Sequence, residues 1–228
     1  MPPARWNWEY AWEITPDLIV GMGRTVLATL LGIVVALVLG LFFALGRRSE
    51  RKLISYPVAW FVEFVRSTPL LVQLFFLFYA MPQIGFLPRS ISTLSPLTTL
   101  VVGLGVHYAC YCSEAYRAGI NSVPKGQWEA STALNLKTMS KWRDVILPQA
   151  IPRALPPLGN YFVAMFKDAP QGAAITYMGV LFIARALQSA DFRTVEPFTI
   201  AGILFLLVSV PAAMAVRRLE RRVAYESD

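Results

Sequence analysis

Residues 25–45, TVLATLLGIVVALVLGLFFAL, contain neither a charged residue nor a proline. At about 1.5 Å per residue, a helix of this length crosses the roughly 30 Å hydrocarbon core of a bilayer. A soluble helix keeps one polar face, and this run has none, so the chain reads as an integral membrane protein. The rest of the sequence agrees. Of its 228 residues, 56% are hydrophobic and 15% charged, with a mean hydropathy of +0.51. The net charge of +7, from 21 basic and 14 acidic residues, sits in blocks between apolar runs. That is the distribution of membrane topology and not of a nucleic-acid face, so no nucleic-acid partner is expected.

Further membrane regions follow on either side. The first is read as 18–45. The second, 53–81, carries Glu63 and Arg66 within it, and the third is 91–117. The fourth, 150–185, is apolar around Lys167 and Asp168 and holds Pro156, Pro157 and Pro170, so it reads as a span plus a broken or partly inserted helix. The fifth, 198–216, runs directly into Arg217, Arg218, Arg221 and Arg222. The expected fold class is a single all-α integral membrane domain with about five transmembrane helices.

Basic residues set its orientation, because short cytoplasmic loops are rich in Lys and Arg. Arg47, Arg48, Arg51 and Lys52 put the first loop inside. The segment 81–94, with Arg89 alone, goes outside. Lys125, Lys137, Lys141, Arg143 and Arg153 put the next polar stretch inside. Arg185 and Arg193 are balanced by Asp191 and Glu196, so their loop goes outside, leaving the N-terminus out and the C-terminus in. Residues 1–17, with Trp6, Trp8 and Trp12, are read as an outer interfacial segment, an amphipathic helix at headgroup level. They lack a basic start followed by an apolar stretch, so no cleavable signal is expected.

The cytoplasmic segment 118–149 is too long and too varied for a linker. Pro124 sits where helices start, and Trp128, Ala130, Ala133 and Leu134 recur at helical spacing. Asn135 suits a left-handed helix end, after which 136–145 restarts as a second short helix that Pro148 blocks. Such a pair either fills a partner's groove or lies on the lipid surface.

Glu129-Ala130-Ser131, then Asn135, then Val145-Ile146-Leu147-Pro148 resemble the EAA loop of ATP-binding-cassette importer permeases. That pattern is Glu-Ala-Ala, a Gly four residues after the last Ala, and an Ile-x-Leu-Pro ending. PKGQWEASTALNL (124–136), RDVILPQA (143–150), EAYRAGI (114–120) and FVRSTPLLVQLFF (64–76) are similar to permeases of the polar amino-acid uptake family, over about 18–222. Residues 107–136 and EPFTIAGILF (196–205) are most similar to ectoine and hydroxyectoine permeases. Two departures stand out. Asn135 replaces the usual Gly, and Ala169-Pro170-Gln171-Gly172 replaces the family's Thr-Ser/Pro-Leu after Lys-Asp.

The resemblance implies a multi-pass subunit of the cell inner (cytoplasmic) membrane that forms half of a translocation path for a polar amino acid or related zwitterion. It implies as partners two ATP-binding subunits, a second permease chain, identical or homologous, and an extracytoplasmic solute-binding protein. The chain has no phosphate-cradling Gly-x-x-x-x-Gly-Lys-Ser/Thr, so ATP and Mg belong to the partner ATPase and no cofactor, metal site or catalytic residue is expected here. Trp128, Glu129, Ala130, Ser131, Ala133, Leu134, Asn135, Leu147 and Pro148 are the implied coupling residues. Glu129 then meets a basic group or helix end of the ATPase; alternatively it is a solvated first-turn acid.

Charged residues within spans mark a pathway or a pair. Glu63 and Arg66 share a helix face and can pair with each other, and Glu114 and Arg117 repeat the spacing; Arg117 alternatively snorkels to the interface. Lys167 and Asp168 point about 100° apart on a helix and so can offer a zwitterion one cation and one anion. Alternatively each partners a charge on a neighbouring span. His107 reads as a helix-to-helix hydrogen-bonding group, and Cys110 and Cys112 as packing residues. The alternative function is a self-powered secondary transporter, which should show an inverted repeat that the sequence does not display; a membrane enzyme should show convergent catalytic groups, and one histidine with no spaced metal ligands argues against it.

Overall fold

The computed structural model describes residues 6–85 and 88–225, apart from the side chains of 90, 91 and 222–225. Residues 1–5 of the interfacial segment, 86–87 of the outer loop and the Arg222 side chain lie outside that description. All regular structure among the described residues is helical.

Helix α1 (Trp8–Arg47) is one continuous helix of 40 residues, capped by the Asn7 side chain accepting from the Tyr10 amide. Among the described residues, the helix runs unbroken from Trp8 of the interfacial segment into the first span. The helix passes through Pro16 because its first turns are held by packing. Ile14, Leu18 and Met22 are buried in a cluster with Phe166, Val180 and Ala184, and the Thr15 hydroxyl donates to the Ala11 carbonyl at 2.6 Å. At about 1.5 Å per residue, α1 is roughly 60 Å long, twice the bilayer core.

Helix α2 (Lys52–Arg66) and helix α3 (Leu70–Phe75), the latter continued by a π turn (Phe76–Ala80) and a 3-10 turn (Met81–Gln83), replace the single span expected over 53–81. The two parts meet at 104°. Pro69, extended at ψ 137°, has no N–H for an α ladder and forces Thr68 out of it. Gln73 straps the break: its amide nitrogen lies 2.8 Å from the Val65 carbonyl and 2.7 Å from the Thr68 hydroxyl.

Short α4 (Arg89–Ser92) ends before α5 (Pro96–Asn121). The third membrane helix therefore starts at Pro96 and not at 91, where the Ser95 side chain caps it by accepting from the Thr98 amide at 3.1 Å. α5 is the central helix, packed along α1 and against the long helix of the fourth region. Ala28, Gly32, Ala36, Gly40 and Ala44 of α1, one every four residues, are all buried. Small residues at this spacing let two backbones close up. A Cβ on Gly40 would stand 2.8 Å from Cys112 Cβ and 2.9 Å from the Ala109 carbonyl.

Beyond the C-terminal end of α5, α6 (Lys125–Ala133) is the expected first short helix. The second does not exist as a separate element. Short α7 (Thr138–Ser140), a π run (Lys141–Ile146) and α8 (Leu147–Asp168) follow without interruption. Pro148 was expected to block the helix. The π run carries it through instead: the Leu147 amide bonds to Trp142, five residues back, and the Val145 carbonyl accepts from Gln149 Nε2 at 2.8 Å.

After Asp168 the chain tightens into a 3-10 turn (Ala169–Ile175), ends it at Thr176 with φ 61°, and forms α9 (Val180–Asp191), at 46° to the preceding helix. Thus 150–185 is interrupted once, after Asp168, and its three helix-internal prolines, Pro152, Pro156 and Pro157, do not break α8. Helix α10 (Val195–Tyr225) closes the fold against α8, α9 and α1. By length and apolarity α1 and α10 each cross a bilayer, and the two bent pairs bring the number of candidate spans to four. Val34, Val38, Phe42, Leu206 and Leu207 are exposed, as a face turned to lipid requires.

Candidate functional site

Two places carry chemistry. The first is a cleft of about 450 Å³ at the α2–α3 break, lined by residues 66–71 and by His107, Tyr111, Asp168 and Gln171. Each side chain is placed by a break or by a face of α5. The bend at Pro69 ends α2 at Arg66 and turns it toward α5, whose successive turns supply His107 and Tyr111. The end of α8 supplies Asp168, and the following 3-10 turn brings Gln171 beside it.

Asp168 is fixed from two sides. Its Oδ2 accepts from the Tyr108 hydroxyl at 2.7 Å and its Oδ1 from Gln171 Nε2 at 3.2 Å. A carboxylate so held keeps lone pairs for another donor, so this one can receive an ammonium group. His107 Nδ1 meets Gln73 Oε1 at 3.1 Å, which ties the break to α5. Tyr111 forms an aromatic wall, with Tyr161 at 5.7 Å and the Arg66 guanidinium 5.4 Å above its ring.

The sequence-predicted residues divide. Asp168 and Arg66 line the cleft. Lys167 does not; it is exposed, because adjacent helical side chains diverge, and the cation that lines the cleft with Asp168 is Arg66. Arg66 contacts Glu63 at 3.4 Å, and also Glu114 at 3.3 Å. Arg117 does not snorkel free; it holds Glu114 at 3.1 Å. Tyr108, Tyr111, His107 and Gln171 were missed as a site. Their signal was hydrogen-bonding side chains spaced three or four apart inside an apolar run.

The second place is the segment around α6. Glu129, Ala130, Ala133 and Asn135 are exposed, as are Leu147 and Pro148. Leu134 is 74% exposed and Met139, which the sequence reading passed over, 76%. Trp128 and Ser131 do not belong to this outer face. Ser131 is buried, and Trp128 packs edge-on against Trp142 at 5.4 Å, over Ile120, Val123 and Ile146. The Arg48 guanidinium lies 5.8 Å from one indole and 5.9 Å from the other, and bonds Asn121 at 2.7 Å. The C-terminal end of α1 is therefore clipped to α6.

Asn135 stands at φ 51°, with its amide bonded to the Thr132 carbonyl at 2.9 Å and the Leu136 amide to Ser131 at 3.1 Å. This is the paired closure that ends a helix on a left-handed residue. Asn135→Val is expected to destabilise the protein by about 1–2 kcal/mol, and Asn135→Gly to be neutral or stabilising. Denaturation midpoints of the purified variants check both, and an unchanged midpoint for the valine variant refutes the backbone argument.

Residues 16–225 match the family described as binding-protein-dependent transport system inner membrane component. The chain belongs to this family. The permease is 38% identical over 208 residues to the "Probable amino-acid ABC transporter permease protein y4tG" of Sinorhizobium fredii, covering 91% of this chain and 87% of that one. It is 32% identical to the glutamine transport system permease protein GlnP of Escherichia coli, over 96% and 98% of the two chains. It superposes with a TM-score of 0.87, at 30% identity, on the crystal structure of an amino acid ABC transporter with histidines, covering 96% of this chain and all of that one. The family's members are permease subunits of the inner membrane, and the ATPase is a separate subunit. The permease is thus a transport component and not an enzyme.

Proposed function

We propose that this permease forms half of the path of an ATP-driven importer for a polar amino acid or a related zwitterion, and that the cleft between Arg66 and Asp168 holds the solute. The observation that carries this reading is one cation and one anion lining the same cleft, the arrangement a carboxylate and an ammonium group require. Relatives that include a glutamine transport permease support the substrate class. Ectoine and hydroxyectoine, ring cations bearing a carboxylate, present the same two charges and belong in the test set.

In this reading the chain crosses the bilayer five times with its N-terminus outside and α6 in the cytoplasm. Helix α5 is the remaining crossing, its polar groups turned inward. A second permease chain completes the path, two ATPase subunits hold ATP and Mg, and a solute-binding protein delivers from outside. The exposed face of Glu129, Ala130, Ala133, Leu134 and Met139 receives the ATPase, while Trp128, packed against Trp142, passes its movement to α1 through Arg48.

The test uses the complete transporter in vesicles, with labelled L-glutamine, L-histidine and ectoine. Uptake should require ATP. For an amino acid that is carried, its carboxamide and its N-acetyl derivative should each compete at least about tenfold less well, since each removes one charge-assisted contact. Competition by both blocked forms as strong as that of the unblocked amino acid refutes the mixed-charge site.

A further inference from the structure

Five charged side chains converge where α1, α2 and α5 meet. Glu114 on α5 accepts from Arg47 of α1 through Oε1 and from Arg117, on its own helix, through Oε2 at 3.1 Å. Arg66 of α2 approaches the oxygen that Arg47 already holds, at 3.3 Å, and reaches Glu63 at 3.4 Å. Three guanidinium groups therefore share two carboxylates, and the cluster is one anion short. Arg66 is the loosest of the three arginines. Its ion contacts, at 3.3 and 3.4 Å, are longer than the 3.1 Å of Arg117 and exceed the roughly 2.7–2.9 Å of a strong charge-assisted bond, and its buried Nε, like that of Arg117, has no hydrogen-bond partner. Arg66 is also the member that lines the cleft with Asp168.

We infer that Glu114 and the carboxylate of the solute compete for Arg66, so that loading the cleft unties α2 from α5 and reports occupancy to the ATP-driven cycle. The inference rests on the reading of the cleft as the solute site. With the cleft empty, Arg66 joins α2 to α5 through Glu114. A carboxylate in the cleft offers Arg66 a two-pronged partner, which Glu114, held by two other arginines, does not. The exchange happens beside a ready hinge, because the α2–α3 bend begins at the next residue. Reciprocity then sets the sign: whatever Glu114 gains from Arg66, the solute must overcome to bind.

The experiment compares wild type and Glu114→Gln in the complete vesicle-reconstituted transporter, with equilibrium binding of L-glutamine, L-histidine and ectoine and with ATP hydrolysis. Glu114→Gln should bind the solute about fivefold tighter or more and hydrolyse ATP faster without it, so that stimulation by solute falls toward one. Unchanged stimulation, or weaker binding in an assembled transporter, overturns the inference. Should Glu114→Gln fail to assemble, hydrogen exchange in the wild type decides: residues 63–68 should exchange faster with solute bound, and equal or slower exchange overturns it. If none of the three solutes binds, or if Arg66→Lys and Asp168→Asn both bind as wild type does, the solute-site reading itself falls. If those two variants lose binding while Glu114→Gln keeps its stimulation, only the competition for Arg66 falls.

Discussion

Asp168→Asn is expected to lower the initial rate of uptake by about 10- to 100-fold. The substitution preserves shape, and the asparagine oxygen still accepts from the Tyr108 hydroxyl that stands 2.7 Å from Asp168. What disappears is the acceptor for Gln171 Nε2 and, more consequentially, the negative charge facing the solute's cation, and a hydrogen bond to a charged group contributes about 1.5–3 kcal/mol. The neighbouring residue supplies the control. Lys167 is exposed and does not line the cleft, so Lys167→Gln should change uptake by less than about twofold, within the ±0.5 kcal/mol usual for surface changes. Uptake rates measured across solute concentrations check the pair. Equal losses in both variants would return the site to the adjacent Lys-Asp pair, and no loss in Asp168→Asn would remove the cleft from the path.

Gly40→Leu is expected to leave no assembled transporter. Its added Cβ alone would stand 2.8 Å from Cys112 Cβ, so α1 and α5 must part along the stripe that holds them. Gly40→Ala should already cost about 1–3 kcal/mol through overpacking, and leucine considerably more. Gly23 lies on the same helix with nothing within 4 Å of an added Cβ, and Gly23→Ala should be harmless. Size-exclusion profiles after graded heating distinguish the three. Survival of the leucine variant at wild-type temperatures would mean that the α1–α5 contact is not what holds the fold.

The membrane class and the first and last spans were legible because uncharged runs such as 25–45 allow nothing else. The short helix α6 was legible because Pro124 and Asn135 mark its two boundaries. Breaks were not legible in the same way. Pro69 and Pro148 look alike in sequence, yet one bends the chain and the other does not. The difference lies in what takes up the orphaned carbonyls: Gln73 bridges an open break at Val65 and Thr68, whereas a π register keeps the Pro148 ladder closed. Those are tertiary and local choices that proline alone does not encode. Similarly, Arg66 and Asp168 lie on different helices, and only the α2–α3 bend reveals that they face one cleft.

The π run at Lys141–Ile146, six residues long, has a mechanical meaning. A π turn holds one residue more than an α turn, and one residue corresponds to about 100° of rotation. The exposed Met139 of α7 and the cleft's Asp168 at the end of α8 are therefore indexed separately along what is otherwise a single rod, like two cams set at different angles on one shaft. Side chains on one cam can change without re-aiming the other. A conversion of the run between π and α registers would turn one cam against its neighbour while hardly lengthening the shaft.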